Sequence, residues 1–257
     1  MKLSREELKG LMKNKLMKAG LNEKHADIAA EVMTWSDERG YHSHGEERVE
    51  YYSERIAKGG ITANPNFTFK ETGPCSGMFD GDNGCGYAAA KEAMDIAIEI
   101  AKKNGIAVIG ISNISHSGSI GYYTEMAAKN DLAAISFCQS DPMAVPPGGT
   151  EPYYGTNPIS FAAPTADDRT VVFDMATTVQ AWGKILDKRS RGESIPDNWA
   201  VDEKGNPVTD PNKVNALLPI AGAKGYGLMM MVDIFSGIMT GVPFGKHVSS
   251  MYHDCSK

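Results

Sequence analysis

A single junction between a strand and a helix limits most strongly what this chain can fold into. The apolar run at residues 106–112 is typical of a buried strand, and a helix is predicted from Tyr122 to Lys129. Between them lies the segment N-I-S-H-S-G-S-I-G-Y-Y at residues 113–123, in which serine and glycine surround His116. A ligand can approach such a backbone closely, and open α/β sheets bind ligands at the carboxyl ends of their strands. The junction therefore favours an α/β fold with a site beside His116.

His116 admits two interpretations from these residues alone. Imidazole is the side chain whose ordinary pKa best suits proton exchange near neutral pH, which makes His116 a candidate acid or base. The alternative is a structural histidine in a turn, bonded to a backbone carbonyl. The residues of the junction leave both interpretations open.

Composition argues against several classes of function. The 257 residues carry a net charge of -6 without a basic cluster, which argues against nucleic-acid binding. The most apolar stretch, residues 228–239, is too short to span a bilayer and contains Asp233. The first residues lack the apolar core of a signal peptide, and the 4 cysteines form no C-x-x-C pair. Free thiols in a reducing cytosol are the simplest account, so a cytoplasmic protein without a membrane partner is expected.

The first 65 residues are predicted to form a helical segment, and residues 66–257 an α/β domain. A capping box at Ser4–Glu7 opens the first helix. A second capping box, Ser43–Glu46, predicts a third helix that runs to about residue 58.

Three side chains that could hold a small acid fall four residues apart in the predicted third helix. His44, Arg48 and Tyr52 would therefore share one helix face. Arg48 is the natural carboxylate clamp, because its planar guanidinium matches two oxygens. The alternative is a solvated face on which Arg48 pairs with Glu47 or Glu50.

Metal and dinucleotide motifs are not found. His42 and His44 have no Asp, Glu or Cys ligand at metal spacing beside them, so no metal site is expected. Residues 81–86 space their glycines as G-x-x-G-x-G rather than the G-x-G-x-x-G of a dinucleotide fold, and no Walker loop occurs. A Rossmann domain is therefore not supported. We predict a tight turn at residues 81–86, with anion binding at the start of the next helix as the alternative.

Two acceptor side chains follow predicted strands at their carboxyl ends, as His116 does. Ser140 lies just beyond a strand at residues 132–138, and Asp174 follows a strand at residues 170–173 and would open a helix. Asp174 could hold a histidine tautomer or accept hydrogen bonds from a cofactor ribose. The alternative is a carboxylate placed there because the helix dipole favours it.

One lysine lies in a glycine loop. Lys224 is part of Gly222–Gly227, which precedes an apolar helix at residues 228–239. Its ammonium could meet a phosphate or a carboxylate. The alternative is a solvated side chain.

Long strings of the sequence, in fixed order, carry a resemblance to a known family. They are H-S-H-G-E-E-R-V-E-Y-Y at 42–52, E-T-G-P-C-S at 71–76, S-H-S-G-S-I at 115–120, C-Q-S-D-P-M at 138–143, Y-Y-G-T-N-P at 153–158, F-D-M-A-T-T-V-Q-A-W-G-K at 173–184 and K-G-Y-G-L-M-M-M at 224–231. Together they resemble the malate/L-lactate dehydrogenase family of the non-Rossmann type, and the resemblance covers the chain without a break.

The resemblance implies a fold, an activity and a set of site residues. It implies a mixed sheet flanked by helices, and an NAD-dependent or NADP-dependent dehydrogenase of a small 2-hydroxy acid that forms a homodimer or a higher homo-oligomer. His116 becomes the catalytic acid/base, with Arg48, His44 and Tyr52 on the substrate side. The positions that correspond to cofactor contacts are Ser140, Asp174, Met175, Ala176 and Lys224.

The same resemblance implies a difference in length. Members of the family run beyond residue 257, so a missing C-terminal part is expected to supply further cofactor contacts and to complete the helical domain. Two alternatives stay open: another oxidoreductase of the scaffold, acting on malate, lactate, sulfolactate or a diketo acid, and an inactive shortened chain that binds only nucleotide or a partner.

A nicotinamide reaction without G-x-G-x-x-G requires another way to hold the dinucleotide. Because sheet topology can bring strand ends together, we predict that Ser140, Asp174 and Lys224 line one nucleotide groove. A carboxylate beside a phosphate would repel it, so Asp174 is expected to face sugar or nicotinamide and Lys224 a charged or ribose group.

Overall fold

A computed structural model describes residues 3–250, which divide into two compact units. Within the described residues, unit 1 comprises residues 3–136 and Phe161–Phe173, and unit 2 comprises Phe137–Ser160 and Asp174–Ser250. The expected boundary between residues 65 and 66 falls inside unit 1, so the N-terminal helices and the first sheet belong to one compact unit.

Three helices come first in the described chain and strands and helices then intermix, which confirms the mixed α/β class. The helices are α1 (Arg5–Lys18), α2 (Glu23–Glu38), α3 (Val49–Ala57), α4 (Gly86–Asn104), α5 (Gly121–Ala128), α6 (Trp182–Arg191) and α7 (Ala223–Ser236). The strands are β1 (Thr68–Gly73), β2 (Ser76–Gly84), β3 (Val108–Ile114), β4 (Ala134–Phe137), β5 (Ile159–Pro164), β6 (Thr170–Met175), β7 (Ala200–Val201) and β8 (Ala216–Leu217).

The first helix begins at the predicted capping box. The Glu7 N–H donates to Ser4 Oγ at 3.2 Å, and the Ser4 N–H donates to Glu7 Oε2 at 2.8 Å. These two bonds satisfy backbone donors that the first turn of a helix leaves open. The buried side chains of α1, Met12 and Leu16, face the hydrophobic interior.

The predicted third helix is wrong in its first half. Two 3-10 turns cover residues 42–48, with Gly45 between them, and α3 begins only afterwards. The Asp37 carboxylate accepts the Glu46 N–H at 2.8 Å, in place of the predicted Ser43 cap. A Cβ on Gly45 would lie 2.0 Å from Asp37 Oδ1, so the chain passes this carboxylate only with glycine. The carboxylate from α2 therefore redirects the chain and delays the helix.

The first sheet has the order β1-β2-β3 and carries the His116 loop. β1 and β2 are antiparallel, whereas β2 and β3 are parallel and connected through α4. Because parallel strands end at the same edge, Gly84 pairs with Ile114 there, and His116 follows two residues later. The predicted position of His116 at a strand end is confirmed.

The glycines of residues 81–86 serve the close approach of two backbone segments rather than a separate tight turn. Gly81–Gly84 belong to β2, but the pairing with β3 shifts register there and Asp82 and Asn83 have positive φ, so the predicted turn occurs as an irregularity within the strand. The Gly86 N–H donates to Ser115 Oγ at 2.9 Å, and a Cβ on Gly86 would lie 2.0 Å from Ser115 O. This N–H of the α4 start is thus occupied by the His116 loop.

The strands predicted to be buried are only partly so. β3 is half-buried along most of its length, and Val108 is 60% exposed. Ile135 of β4 is 61% exposed. The core of the first sheet lies under α4 instead, where Phe79, Ala89 and Ala93 are buried together. An apolar run predicted the strands correctly but not which of their faces would be covered.

Strands β4, β5 and β6 form a second sheet of that order. Asp174 and Met175 lie inside β6, and α6 begins only at Trp182. The prediction that Asp174 opens a helix is therefore wrong. Lys224 lies in the first turn of α7 rather than in a loop ahead of it.

Unit 2 has its own core and a short hairpin. Its buried cluster consists of Ile185, Ile195, Ala200, Val208 and Leu217. A bridge between Val201 and Pro207 closes a small hairpin in the polar segment at residues 190–211.

Two further features of residues 3–250 concern membrane segments and cysteines. No helix in this range is long and apolar enough to cross a membrane. Cys75, Cys85 and Cys138 are free thiols, and Cys255 lies outside the described residues.

Candidate active site

The centre of the site in unit 1 is the His116 imidazole. Its Nδ1 accepts a hydrogen bond from the Gly118 N–H at 3.1 Å. Nδ1 also shares a short hydrogen bond with the Tyr52 hydroxyl. The loop after β3 thus supplies the imidazole, and α3 supplies the phenol that contacts it.

Aromatic rings of three other elements surround this imidazole. The His44 ring stacks at 5.6 Å between centroids and the Tyr52 ring at 6.0 Å. Tyr87, at the start of α4, meets His116 edge-on at 6.5 Å and Tyr52 edge-on at 5.3 Å. The structure therefore brings His44, Tyr52 and His116 together. The prediction that His44, Arg48 and Tyr52 share one helix face is wrong, because His44 and Arg48 lie in 3-10 turns and only Tyr52 lies in α3.

Burial and charge keep both imidazoles neutral. Burial disfavours a charged ring and lowers the pKa of His116 well below its ordinary value, and His44, Arg48 and Arg55 lower it further. Burial, followed by the Arg48 charge, lowers the pKa of His44 to about 4. A neutral imidazole among cations can accept a proton, which is the requirement for a general base at neutral pH.

Close contacts fix the loop that carries His116. Gly118 has φ +74, and a Cβ there would lie 2.3 Å from Tyr87 Cε1. The left-handed conformation and the close ring both require glycine at this position. The Tyr123 hydroxyl donates to Ser117 O at 2.6 Å from the other side. The Gly118 N–H is thereby held in place against the imidazole.

Arg48 lies beside this cluster at the start of α3 and is half-buried. Its Nε donates to Ser43 O at 2.6 Å. Glu50 forms an ion pair with Lys15. The carboxylate-clamp role of Arg48 stays a prediction, as do the substrate-side roles of His44 and Tyr52.

The sequence patterns did not indicate three groups that contribute to the site. Tyr87 follows the glycines of residues 81–86, and a single aromatic residue at a helix start forms no motif of its own. Ser43 was interpreted as a helix cap, but its Oγ shares a 3.0 Å hydrogen bond with His44 Nδ1. The Gly118 N–H leaves no side-chain pattern, because it is a backbone group.

In unit 2, hydrogen bonds connect the segments that carry the predicted cofactor residues. Ser140 Oγ accepts the Thr156 N–H at 2.9 Å. The Thr177 N–H donates to Thr156 O at 2.9 Å, and the Ile220 N–H donates to Thr177 O at 2.9 Å. The loop after β4, the segment after β6 and the segment before α7 are therefore joined in one network.

The N-terminus of α7, which follows this network in the chain, suits an anionic ligand. α7 has Gly222 at its N-cap without a side-chain cap, and Lys224 is exposed in its first turn. Helix N-termini attract phosphates through their free N–H groups. The buried Asn157 amide donates to Met229 O at 2.9 Å and anchors the same helix. These residues fit the phosphate part of a dinucleotide, and the individual roles of Ser140, Asp174, Met175, Ala176 and Lys224 stay predictions.

Potential metal ligands do not gather in the described part of the chain, residues 3–250. No group of three or more His, Cys, Asp or Glu side chains there could hold a metal ion. His42 Nδ1 contacts Asp37 Oδ1 at 3.1 Å instead, and His44 contacts Ser43.

The sequence was compared with known proteins. Residues 3–257 match the family model described as malate/L-lactate dehydrogenase. The chain is 59% identical over 254 residues to the ureidoglycolate dehydrogenase (NAD(+)) of Escherichia coli K12, covering 99% of this chain and 73% of that protein. It is 39% identical to the malate dehydrogenase of Pyrococcus abyssi, covering 97% of this chain and 71% of that protein.

Comparison with solved structures also finds similarity to proteins of this kind. The sulfolactate dehydrogenase of Methanocaldococcus jannaschii has a TM-score of 0.89 at 36% identity, and covers 97% of this chain and 73% of its own. The Δ1-piperideine-2-carboxylate reductase of Pseudomonas syringae has a TM-score of 0.93 at 30% identity, and covers 100% of this chain and 78% of its own. The fold expected from the resemblance is confirmed, and the chain belongs to the malate/L-lactate dehydrogenase family.

Proposed function

We propose that this chain is an NAD-dependent ureidoglycolate dehydrogenase, which oxidises the C–OH group of (S)-ureidoglycolate to give oxalurate in allantoin breakdown. The observation that carries the proposal is 59% identity over 254 residues to a protein of that name. It is supported by the site in unit 1, where a neutral imidazole lies beside an arginine. A 2-hydroxy acid needs a base for its hydroxyl and a cation for its carboxylate.

Each side chain of the site has its own role in the proposed reaction. His116 takes the proton of the substrate hydroxyl, a contribution on the order of 10² to 10⁴ in rate. Arg48 holds the carboxylate and thereby fixes the carbon that loses the hydride. His44 and Tyr52 complete the substrate side. When bound, NAD supplies the hydride acceptor, and the protein supplies position.

The cofactor is assigned to unit 2. The α7 N-terminus with Lys224 would receive a charged or ribose group, and Ser140 would lie along the same groove. Asp174, with Met175 and Ala176, would face sugar or nicotinamide, because a carboxylate repels pyrophosphate.

A turnover screen tests the substrate and the cofactor together. Purified chain is incubated with NAD or NADP and with ureidoglycolate, malate, lactate or sulfolactate, and the absorbance of the reduced nicotinamide is followed. We expect the highest kcat/KM for ureidoglycolate with NAD. A higher kcat/KM for malate or sulfolactate would assign the chain to another activity of the family.

Calorimetric titration with NAD, run beside the screen, addresses the shortened-chain alternative. Binding without turnover of any of these acids would favour a chain that only binds nucleotide. We also propose a homodimeric, cytoplasmic enzyme. Sedimentation of the purified chain at twice the monomer mass would support the dimer, and a monomer would contradict it.

A further inference from the structure

The last turn of α2 contacts both of the segments that carry the imidazoles of the site in unit 1. Two consecutive residues of this turn make the contacts. Ser36 bonds the loop of His116, and Asp37 bonds the segment of residues 42–48. Buried side chains occur along α2 from its first turn onward, so the helix is a closely packed support for both contacts.

The contact of Ser36 is a buried hydrogen bond between two hydroxyl groups. Ser36 Oγ and Ser119 Oγ lie 2.9 Å apart, and both residues are buried. The Ser36 hydroxyl donates to Val32 O at 3.0 Å within the helix. Because its one proton is used there, the Ser119 hydroxyl is the donor to Ser36 Oγ. The loop is therefore anchored to α2 three residues after His116.

The contacts of Asp37 lie on both sides of His44. Its Oδ2 accepts the Glu46 N–H at 2.8 Å, and its Oδ1 lies 3.1 Å from His42 Nδ1. A Cβ on Gly45 would lie 2.0 Å from the same Oδ1, so the backbone passes directly against the carboxylate. Asp37 therefore holds the segment both before and after the His44 ring.

We propose that Ser36 and Asp37 are positioning residues that set how the two imidazoles of the site face each other. The His44 and His116 rings stack at 5.6 Å between centroids, although they come from segments far apart in the chain. Adjacent residues of one helix turn keep a constant separation, so two anchors on them fix both segments relative to one another. The inference rests on the proposed function, in which His116 takes a proton and His44 lies on the substrate side.

The two anchors are expected to affect different kinetic constants. Ser36→Ala releases the loop of the base, so kcat should fall about 10-fold while KM changes less than about 2-fold. Asp37→Ala releases the segment with the proposed substrate-side residues His44 and Arg48, so KM should rise about 10-fold. A loss of stability alone would not divide kcat and KM between neighbouring residues.

A conservative substitution of Asp37 should rescue the second effect. In Asp37→Asn, the amide oxygen can still accept the Glu46 N–H, and the amide nitrogen can donate to His42 Nδ1. KM should therefore stay within about 2-fold of the wild-type value.

Thr34→Val is the matched control for Ser36→Ala. Thr34 lies in the same helix, is buried, and donates to Ala30 O at 2.7 Å as Ser36 does to Val32 O. Its kcat and KM should be those of the wild type. Ser119→Ala removes the same bond from the loop side and leaves the Ser36 hydroxyl on its helix carbonyl. It should lower kcat as Ser36→Ala does, and the double variant should lose no more than either single variant.

Histidine ring signals report the positions of the imidazoles without substrate or cofactor. ¹H–¹³C NMR spectra are recorded on histidine-labelled protein, with the two rings assigned by His116→Asn and His44→Asn. The His116 signal should shift in Ser36→Ala and keep its position in Thr34→Val. The His44 signal should shift in Asp37→Ala and return in Asp37→Asn.

Unchanged ring signals with unchanged kcat and KM in Ser36→Ala and Asp37→Ala would overturn the inference. A loss in Thr34→Val equal to that in Ser36→Ala would also overturn it, because the effect would then be one of helix stability. Additive losses in the double variant would show that the two serines act independently, and would contradict it as well. Wild-type turnover in His116→Asn would instead remove the proposed base, while the ring signals would still decide whether α2 places the imidazoles.

Discussion

At the scale of single residues, the site depends on what lies around one imidazole rather than on the imidazole alone. His116 could be located from the sequence because a small-residue segment follows an apolar run. The neutral state of its imidazole could not be predicted from the sequence, because burial and the charges of Arg48 and Arg55 arise from segments far apart along the chain. The Gly118 N–H that bonds its Nδ1 belongs to the backbone and leaves no residue pattern.

Arg48 provides the first prediction at this scale. If its guanidinium binds the substrate carboxylate through two oxygens, Arg48→Lys should raise KM about 10-fold, because a point charge replaces a planar fork. Arg48→Ala should raise it further. Steady-state kinetics with ureidoglycolate measure both variants. An unchanged KM and kcat in the pair would return Arg48 to the solvated-face interpretation.

The lowered pKa of His116 provides the second prediction at this scale. The base must be neutral in the free enzyme, so kcat/KM falls as pH drops through the pKa of His116. Burial lowers that pKa below its ordinary value, so the acid limb should lie below about pH 6.5. A pH profile of kcat/KM checks this, and an acid limb at or above that pH would contradict it.

At the scale of elements, caps and periodicity predicted most helices, and tertiary contacts decided where they begin. α1 begins at its capping box, whereas the Asp37 carboxylate from α2 delays α3. The glycines before α4 indicated a special backbone, but only the parallel pairing of β2 and β3 shows that they admit the His116 loop. The sequence contains the residues of such contacts without showing which segments will meet.

A buried carboxylate ties α5 to α2, and its loss should be measurable as stability. Glu125 accepts from Trp35 Nε1 at 2.8 Å and from Arg39 Nη2 at 2.8 Å. Glu125→Ala should lower the free energy of unfolding by about 2–3 kcal/mol, because the indole N–H is left buried without its partner. Chemical denaturation measures this. Lys129→Ala is the control, since the exposed Lys129 pair with Glu125 is worth at most about 1 kcal/mol. Equal losses in the two variants would contradict the account.

The Glu125 carboxylate also determines in which direction the stability of the protein changes with pH. Burial tends to raise the pKa of Glu125, but the hydrogen bonds from Trp35 and Lys129 and the charge of Arg39 outweigh it and hold the pKa below its ordinary value. The stabilisation is therefore present above the ordinary carboxyl pKa of about 4.3 and is lost as pH falls through the folded-state pKa. The stability difference between wild type and Glu125→Gln should shrink under acid.

At the scale of the whole molecule, the candidate residues fall in two compact units. The candidate base and the substrate-side residues belong to unit 1, and the predicted cofactor residues Ser140, Asp174 and Lys224 belong to unit 2. The sequence predicted a division at residue 65, whereas unit 1 also includes Phe161–Phe173 from late in the chain. Such a late return of the chain depends on sheet pairing between distant segments.

A substitution of Lys224 tests the cofactor site that is proposed in unit 2. If its ammonium contacts the dinucleotide at the start of α7, Lys224→Ala should weaken NAD binding about 10-fold, the loss expected for one charge-assisted hydrogen bond. Calorimetric titration gives the Kd. Lys204→Ala, in the exposed turn of the hairpin, is the control and should bind NAD as the wild type does. A Kd that is the same in both variants would remove Lys224 from the cofactor site.

The most direct measurement is kcat for NAD-dependent oxidation of (S)-ureidoglycolate by wild type and by His116→Asn. Asparagine keeps a polar side chain of related size but cannot take a proton at neutral pH. The account predicts a loss in kcat on the order of 10² to 10⁴, with the Kd for NAD unchanged. Turnover by His116→Asn near the wild-type rate would contradict it.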